Sequence, residues 1–136
     1  MPNAPGSWTY VQTSGELFRP DGTICAVGYS GRGDGLNNAT FQSIENIGPL
    51  PQGSYILGQA KDHPMLGPEA IPLIPSPTNN MFGRSHFYCH GDNQHHDKSA
   101  SEGCIIMDRP TRNELAQAKG KVLIVVDKIE NRPLVA

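Results

Sequence analysis

The stretch from Arg84 to Arg112 holds four of the five histidines and two of the three cysteines in the chain. Two fixed points stand out in it: His90-Gly91 and Ser101-Glu102-Gly103-Cys104. A free thiol, with a pKa of about 8.5, is mostly protonated at neutral pH, so a nucleophilic cysteine needs a base or a positive partner. An imidazole supplies either. His90 precedes Cys104 by 104 − 90 = 14 residues, too far for neighbours on one helix or strand. That spacing suits a strand end, a loop and a return that brings the two side chains together. Gly103 removes a side chain where a substrate carbonyl must approach, and the N–H groups of Gly103 and Cys104 are candidate oxyanion donors. The expectation is therefore a Cys104 nucleophile with His90 as its base. The competing reading makes Cys104 a small buried hydrophobe at the head of Cys104-Ile105-Ile106-Met107. His-Gly, an intervening polar loop and Ser-x-Gly-Cys-Ile together favour chemistry.

His95 and His96, with Asp92 and Asp97, also read as metal ligands. Zinc sites usually show paired spacings such as Cys-x-x-Cys or His-x-x-x-His, and adjacent histidines on a loop seldom both reach one ion. A solvated loop is the preferred reading, with no metal and no cofactor expected. A zinc-stabilised binding module is the non-enzymatic alternative.

These side chains need a scaffold, and the local signals describe one of short strands. Trp8 to Gln12 and Glu16 to Arg19 read as strands separated by Thr13-Ser14-Gly15, and Thr23 to Tyr29 as a third after Pro20-Asp21-Gly22. Ser30 to Gly35 is glycine-rich but opens onto Leu36-Asn37-Asn38 rather than an apolar helix, so it is no phosphate cradle. Gly48 to Gly53 is a rigid Pro/Gly turn leading into a strand over Ser54 to Leu57. Five prolines between Lys61 and Asn80 exclude a helix there and predict a surface wrap pinned by Ile71 and Leu73. Alternation over Arg84 to His90 predicts a strand with His86, Tyr88 and His90 on one face and Phe87 and Cys89 on the other. His86 then either lines the cleft or is a structural histidine. Pro110 to Lys119 reads as the one helix, stopped by Gly120, and Lys121 to Lys128 as a buried closing strand.

Whole-chain properties narrow the class. At 136 residues, 1–136 is expected to be a single domain, and 15 Gly with 12 Pro favour many short elements over a helical bundle. The expected fold is all-β or β-dominated with one helix. A net charge of −2, without a basic block, argues against a nucleic-acid partner. Val122 to Val126 is too short to span a bilayer, and Met1 to Ser7 lacks the basic and apolar regions of a signal peptide. The expectation is a protein made in the cytoplasm, with no membrane insertion. The odd cysteine count leaves a Cys25–Cys89 disulfide open.

His90-Gly91 followed by Ser101-Glu102-Gly103-Cys104 resembles the active-site signature of YkuD-type L,D-transpeptidases, in which His-Gly precedes Ser-His-Gly-Cys. Glu102 is the departure. The wider pattern is similar to the small type VI secretion L,D-transpeptidase effectors and covers nearly the whole chain: Trp8, Tyr29-Ser30-Gly31, Gly48 to Tyr55, His90-Gly91-Asp92 and Ser101 to Ile105. The resemblance implies a YkuD-like fold, sandwich- or barrel-like, acting on peptidoglycan peptide stems without a cofactor. It further implies cleavage at the meso-diaminopimelate–D-alanine bond of a tetrapeptide, by hydrolysis, D-amino-acid exchange or crosslinking. By position, Cys104 is the nucleophile, His90 the base, the Gly91 carbonyl the orienter of the imidazole, and Ser101 a brace for the loop. Because the stem ends in carboxylates, Arg84, Arg109 and Arg112 become candidate clamps, although Arg109 and Arg112 also read as exposed helix-end charges. Tyr29 and Asn37 are candidate cleft residues on the resemblance alone. A secretion apparatus, a cognate immunity protein and delivery into the periplasm of a target bacterium are implied with it. The enzymatic alternative is another cysteine peptidase or amidase of the wall using the same pair.

Overall fold

The computed structural model describes residues 6–93 and 100–129. Their strands are β1 (Trp8–Val11), β2 (Glu16–Phe18), β3 (Ile24–Val27), β4 (Tyr29–Ser30), β5 (Gly53–Leu57), β6 (Lys61–His63), β7 (Gly67–Pro75), β8 (Tyr88–His90), β9 (Ile105–Ile106) and β10 (Val122–Val126); the helix is α1 (Arg109–Ala116). The strands run in the order β3-β2-β1-β10-β5-β7-β8-β9-β4, with β6 attached to β7. β3 and β4 stand at opposite ends of this order, yet only Gly28 separates them in the chain. The sheet must therefore curl until its ends meet. Gly28 sits at that seam, where its N–H donates to the Gly15 carbonyl at 2.8 Å. A Cβ there would run into the Ile106 carbonyl and the Met107 sulfur, so the closure requires glycine.

The core lies inside the curl. β10 is central, parallel to β1 and antiparallel to β5, and its alternation turns Leu123 and Val125 inward. They pack with Tyr10, Leu57 and Ile71. Each such aliphatic side chain, fully buried, stabilises the fold by about 1.5–3 kcal/mol. The expected closing strand is thus present, although it lies in the middle of the sheet.

The expected surface wrap over Lys61 to Asn80 is corrected. Ile71 and Leu73 are buried as anticipated, but they belong to β7, a nine-residue strand at the junction of the sheet. Proline donates no ladder bond, so it is normally confined to strand edges. β7 accommodates its prolines because its pairings are short: Ile71 and Pro72 face β8, and Leu73 to Pro75 face β5.

The expected strand over Arg84 to His90 is also shortened, to Tyr88–His90. Phe82, Gly83 and His86 have φ of 55°, 73° and 66°, a turn conformation that breaks the alternation assigned to His86. The helix begins as read, with Asp108 as N-cap accepting the Thr111 N–H at 3.0 Å and Pro110 in the first turn. It ends earlier, because Gln117 and Ala118 donate to carbonyls three residues back and tighten the last turn. Cys25, Cys89 and Cys104 are all free thiols, so no Cys25–Cys89 disulfide forms. Among the described residues, no helix is long and apolar enough to cross a membrane.

Candidate active site

β8 and β9 run parallel, pairing Cys89 with Ile105 and His90 with Ile106. The 14-residue spacing is realised as a strand end, a loop and a return onto the neighbouring strand. This register sets Cys104 level with Tyr88, whose N–H donates to Cys104 Sγ at 3.3 Å. Cys104 and His90 line the same cavity, of about 490 Å³.

His90 is 4% exposed, and its Nδ1 lies 2.8 Å from the Gly91 carbonyl. A carbonyl can only accept, so Nδ1 carries the hydrogen and Nε2 is the basic nitrogen. Burial lowers the His90 pKa, the Gly91 carbonyl opposes that shift, and the nearby Arg112 charge reinforces it. Burial pushes the Cys104 thiol up to about 11; the Tyr88 N–H opposes this and the Glu102 carboxylate adds to it. Both effects favour neutral forms. The Cys104 thiol and the His90 imidazole therefore both rest neutral rather than as an ion pair.

A pH profile follows from these directions. Protonation removes the base, and the lowered His90 pKa keeps the base form present below the ordinary value of about 6.5. We expect kcat/KM to fall on the acid side with a midpoint below 6.5, and a midpoint at or above 6.5 contradicts the assignment. Stability changes in the same direction. Below pH about 6.5 the unfolded chain binds a proton that the folded site resists, so His90's contribution is lost as pH falls.

Ser101 is fully buried and ties the segment around Cys104 together. Its hydroxyl donates to the Cys104 carbonyl at 2.5 Å and accepts the N–H groups of Gly31 at 2.9 Å and Gly103 at 3.1 Å. Gly103 N–H is thereby engaged, which removes it from the expected oxyanion pair. Gly103 has a φ of 131°, and a Cβ on it would press against Arg84 Nη2 and Phe87. Close packing against Arg84 and Phe87, next to Cys104, is what requires glycine here.

The arginines are not clamps for a carboxylate in this arrangement. Arg84 is buried, and its guanidinium donates to the carbonyls of Gln42, Gly48, Pro49 and Glu102 at 2.6–3.0 Å. Arg112, also buried, donates to the carbonyls of Met107, Pro68 and Glu69. It packs against Gly91, where a Cβ would come within 2.8 Å of its Nη2. Arg109 pairs with Glu69 at 2.7 Å on the surface. None of the three lines the cavity that holds Cys104.

Tyr29 and Asn37 are not among the lining residues either; they brace it. The Tyr29 hydroxyl donates to Asp92 at 2.7 Å and accepts the Ala100 N–H at 3.3 Å, clasping both flanks of the loop between His90 and Cys104. Asn37 accepts the Ser30 N–H at 3.2 Å, and the Ser30 hydroxyl donates to the Gly103 carbonyl at 3.1 Å. His86 does line the cavity, reached through the turn rather than strand alternation. So do Glu45 with Asn46 and Met65 with Leu66, which sequence reasoning missed. They come from distant loops, and nothing in their local patterns marks them. Of the proposed metal ligands, His95, His96 and Asp97 lie outside the described residues.

Residues 25–130 match the family model described as the Tlde1 domain. The chain belongs to the Tlde1 family. Tlde1 proteins are type VI secretion L,D-transpeptidase effectors, and the mixed β-sheet with one helix is consistent with a YkuD-like fold. The span matched to Tlde1 includes His90, Cys104 and every strand that carries the cavity, whereas β1 and β2 precede it. No curated protein and no solved structure matches the chain.

Proposed function

We propose that this Tlde1 protein cleaves the bond between the L-centre of meso-diaminopimelate and the terminal D-alanine in peptidoglycan tetrapeptide stems. The observation that carries the reading is the buried His90, its Nδ1 held by the Gly91 carbonyl, lining the same cavity as the Cys104 thiol. Cys104 Sγ attacks the carbonyl as its proton passes to His90 Nε2. The tetrahedral intermediate collapses, the C–N bond breaks, and His90 returns the proton to the leaving amine of D-alanine. The thioester that remains goes to water in L,D-carboxypeptidase action, to a free D-amino acid in exchange, or to a neighbouring stem amine in crosslinking. Residues 1–136 act as one catalytic domain, since β1 pairs with β10 beside the rest of the sheet. Its place of action is the periplasm of a target bacterium, reached through a secretion apparatus. The producing cell is guarded by a cognate immunity protein.

Mass spectrometry of purified disaccharide-tetrapeptide incubated with the protein tests this directly. Loss of D-alanine identifies hydrolysis, and its replacement by an added D-amino acid identifies exchange. Cleavage elsewhere in the wall would point to a different cysteine peptidase or amidase reaction, and an unchanged substrate would sink the tetrapeptide assignment.

A further inference from the structure

Glu102 stands where the YkuD-type signature has histidine, and the chemistry above gives its carboxylate no part. It lines the catalytic cavity together with Glu45, and the remaining ionisable side chains known to line it are His86, His90 and Cys104. Among the described residues, no lysine or arginine lines this cavity. The three arginines that could have made it a carboxylate site are held by backbone carbonyls or by Glu69. Arg32 lies beside Glu102, but at 3.6 Å, with the two side chains 40% and 59% exposed, while its Nε donates to the Asn46 carbonyl. So open a pair contributes little and is readily exchanged for a better cation.

The position of Glu102 is also held. Arg84 grips its backbone carbonyl at 3.0 Å, one residue before Gly103 and two before the nucleophile. Glu45 lines the same cavity, together with the deeply buried His90 and the Cys104 thiol. Two carboxylates facing a space of about 490 Å³ beside a nucleophile present a field that favours a cation and disfavours a second carboxylate.

Resting on the reading of Cys104 and His90 given above, we propose that Glu102 and Glu45 form an ammonium-binding subsite of the catalytic cavity. The ammonium is either the free amine of the stem's diamino acid or that of an incoming D-amino acid. Bound there, it also offsets the negative field that Glu102 imposes on the thiol, so binding and attack are coupled.

Two kinetic arms separate the sources. In the first, D-alanine release is measured without acceptor on tetrapeptide stems whose diamino-acid amine is free or N-acetylated. If the stem amine is the ligand, the wild type prefers the free amine by about 10-fold in kcat/KM, one well-placed charge contact. The Glu102→Gln/Glu45→Gln double variant loses that preference. In the second, exchange with D-methionine is followed; a roughly 10-fold rise in its KM in the double variant, with the stem preference unchanged, assigns the subsite to the acceptor. If neither quantity moves in a double variant that keeps the wild-type melting temperature, the proposal is overturned. Calorimetric binding of D-methionine and of the two stems to Cys104→Ala, with and without the Glu substitutions, reads the subsite independently of turnover. A wild type that releases no D-alanine while Cys104→Ala still binds one of these amines in a Glu-dependent way would reject the bond assignment and keep the subsite. Loss of Glu dependence in both kinetics and binding rejects the subsite alone.

Discussion

His90→Gln lowers kcat/KM by about 10³–10⁴-fold at pH 7, near the upper end of what general-base catalysis contributes. The size follows from the state of the thiol. With Cys104 pushed up to about 11 by burial, roughly one molecule in 10⁴ holds a thiolate at pH 7 without help from a base. The imidazole avoids this limit by taking the proton during attack. Glutamine has similar bulk and a polar head but no basic nitrogen, so the cavity is retained while the proton acceptor is lost. The residual rate in His90→Gln should climb about tenfold per pH unit up to pH 9, because only the pre-formed thiolate reacts. The wild type should be nearly flat from pH 7 to pH 9. Stopped assays of D-alanine release across pH 6–9 measure both slopes, with Cys104→Ala as the zero. Parallel profiles for His90→Gln and wild type would remove His90 from the role of base.

Replacing Arg84 by methionine destabilises the fold by about 3–5 kcal/mol, from the loss of one partner in a buried charged network. Methionine fills much of the aliphatic volume, so the loss isolates the guanidinium. The carbonyls of Gln42, Gly48, Pro49 and Glu102 then lose their donor at one stroke. The guanidinium also sits over the Phe87 ring at 5.3 Å, a contact methionine only partly replaces. Arg84→Lys recovers only part of the stability, because one ammonium cannot reproduce the planar fork that reaches four acceptors. Urea unfolding followed by tryptophan fluorescence gives the midpoints. A shift below about 0.5 kcal/mol, the range of ordinary surface substitutions, would show that these carbonyls find other partners. Activity should fall more steeply than stability, because Glu102 is anchored by Arg84 just before the nucleophile.

Arg84 also marks where local reasoning ends. A guanidinium near a reactive cysteine reads as a clamp for an acidic ligand, because the sequence contains no information about which carbonyls face it. Its four acceptors come from segments 18 to 42 residues away in the chain. The same limit applies to Tyr29, which clasps Asp92 and Ala100 across 63 and 71 residues. For His86 the alternation left cleft lining and a structural role open; it does line the cavity, but through a turn whose positive φ breaks that alternation.

The family resemblance added the Gly91 carbonyl as the orienter, and residue types and spacing alone singled out Cys104 and His90 as candidate nucleophile and base, the β-dominated class and the helix after Cys104. These rest on short-range physics: thiol and imidazole chemistry, proline and glycine dihedrals, and alternation over a few residues. Only the tertiary structure decided that the proline-rich segment is a junction strand and that the sheet curls shut at Gly28. It alone placed the three arginines against backbone or Glu69, leaving Glu45 and Glu102 in the cavity. Those outcomes depend on which distant groups arrive with a donor, an acceptor or a charge to match. Burial decides the protonation of the thiol and the imidazole in the same way, since desolvation exists only once the chain has closed around them.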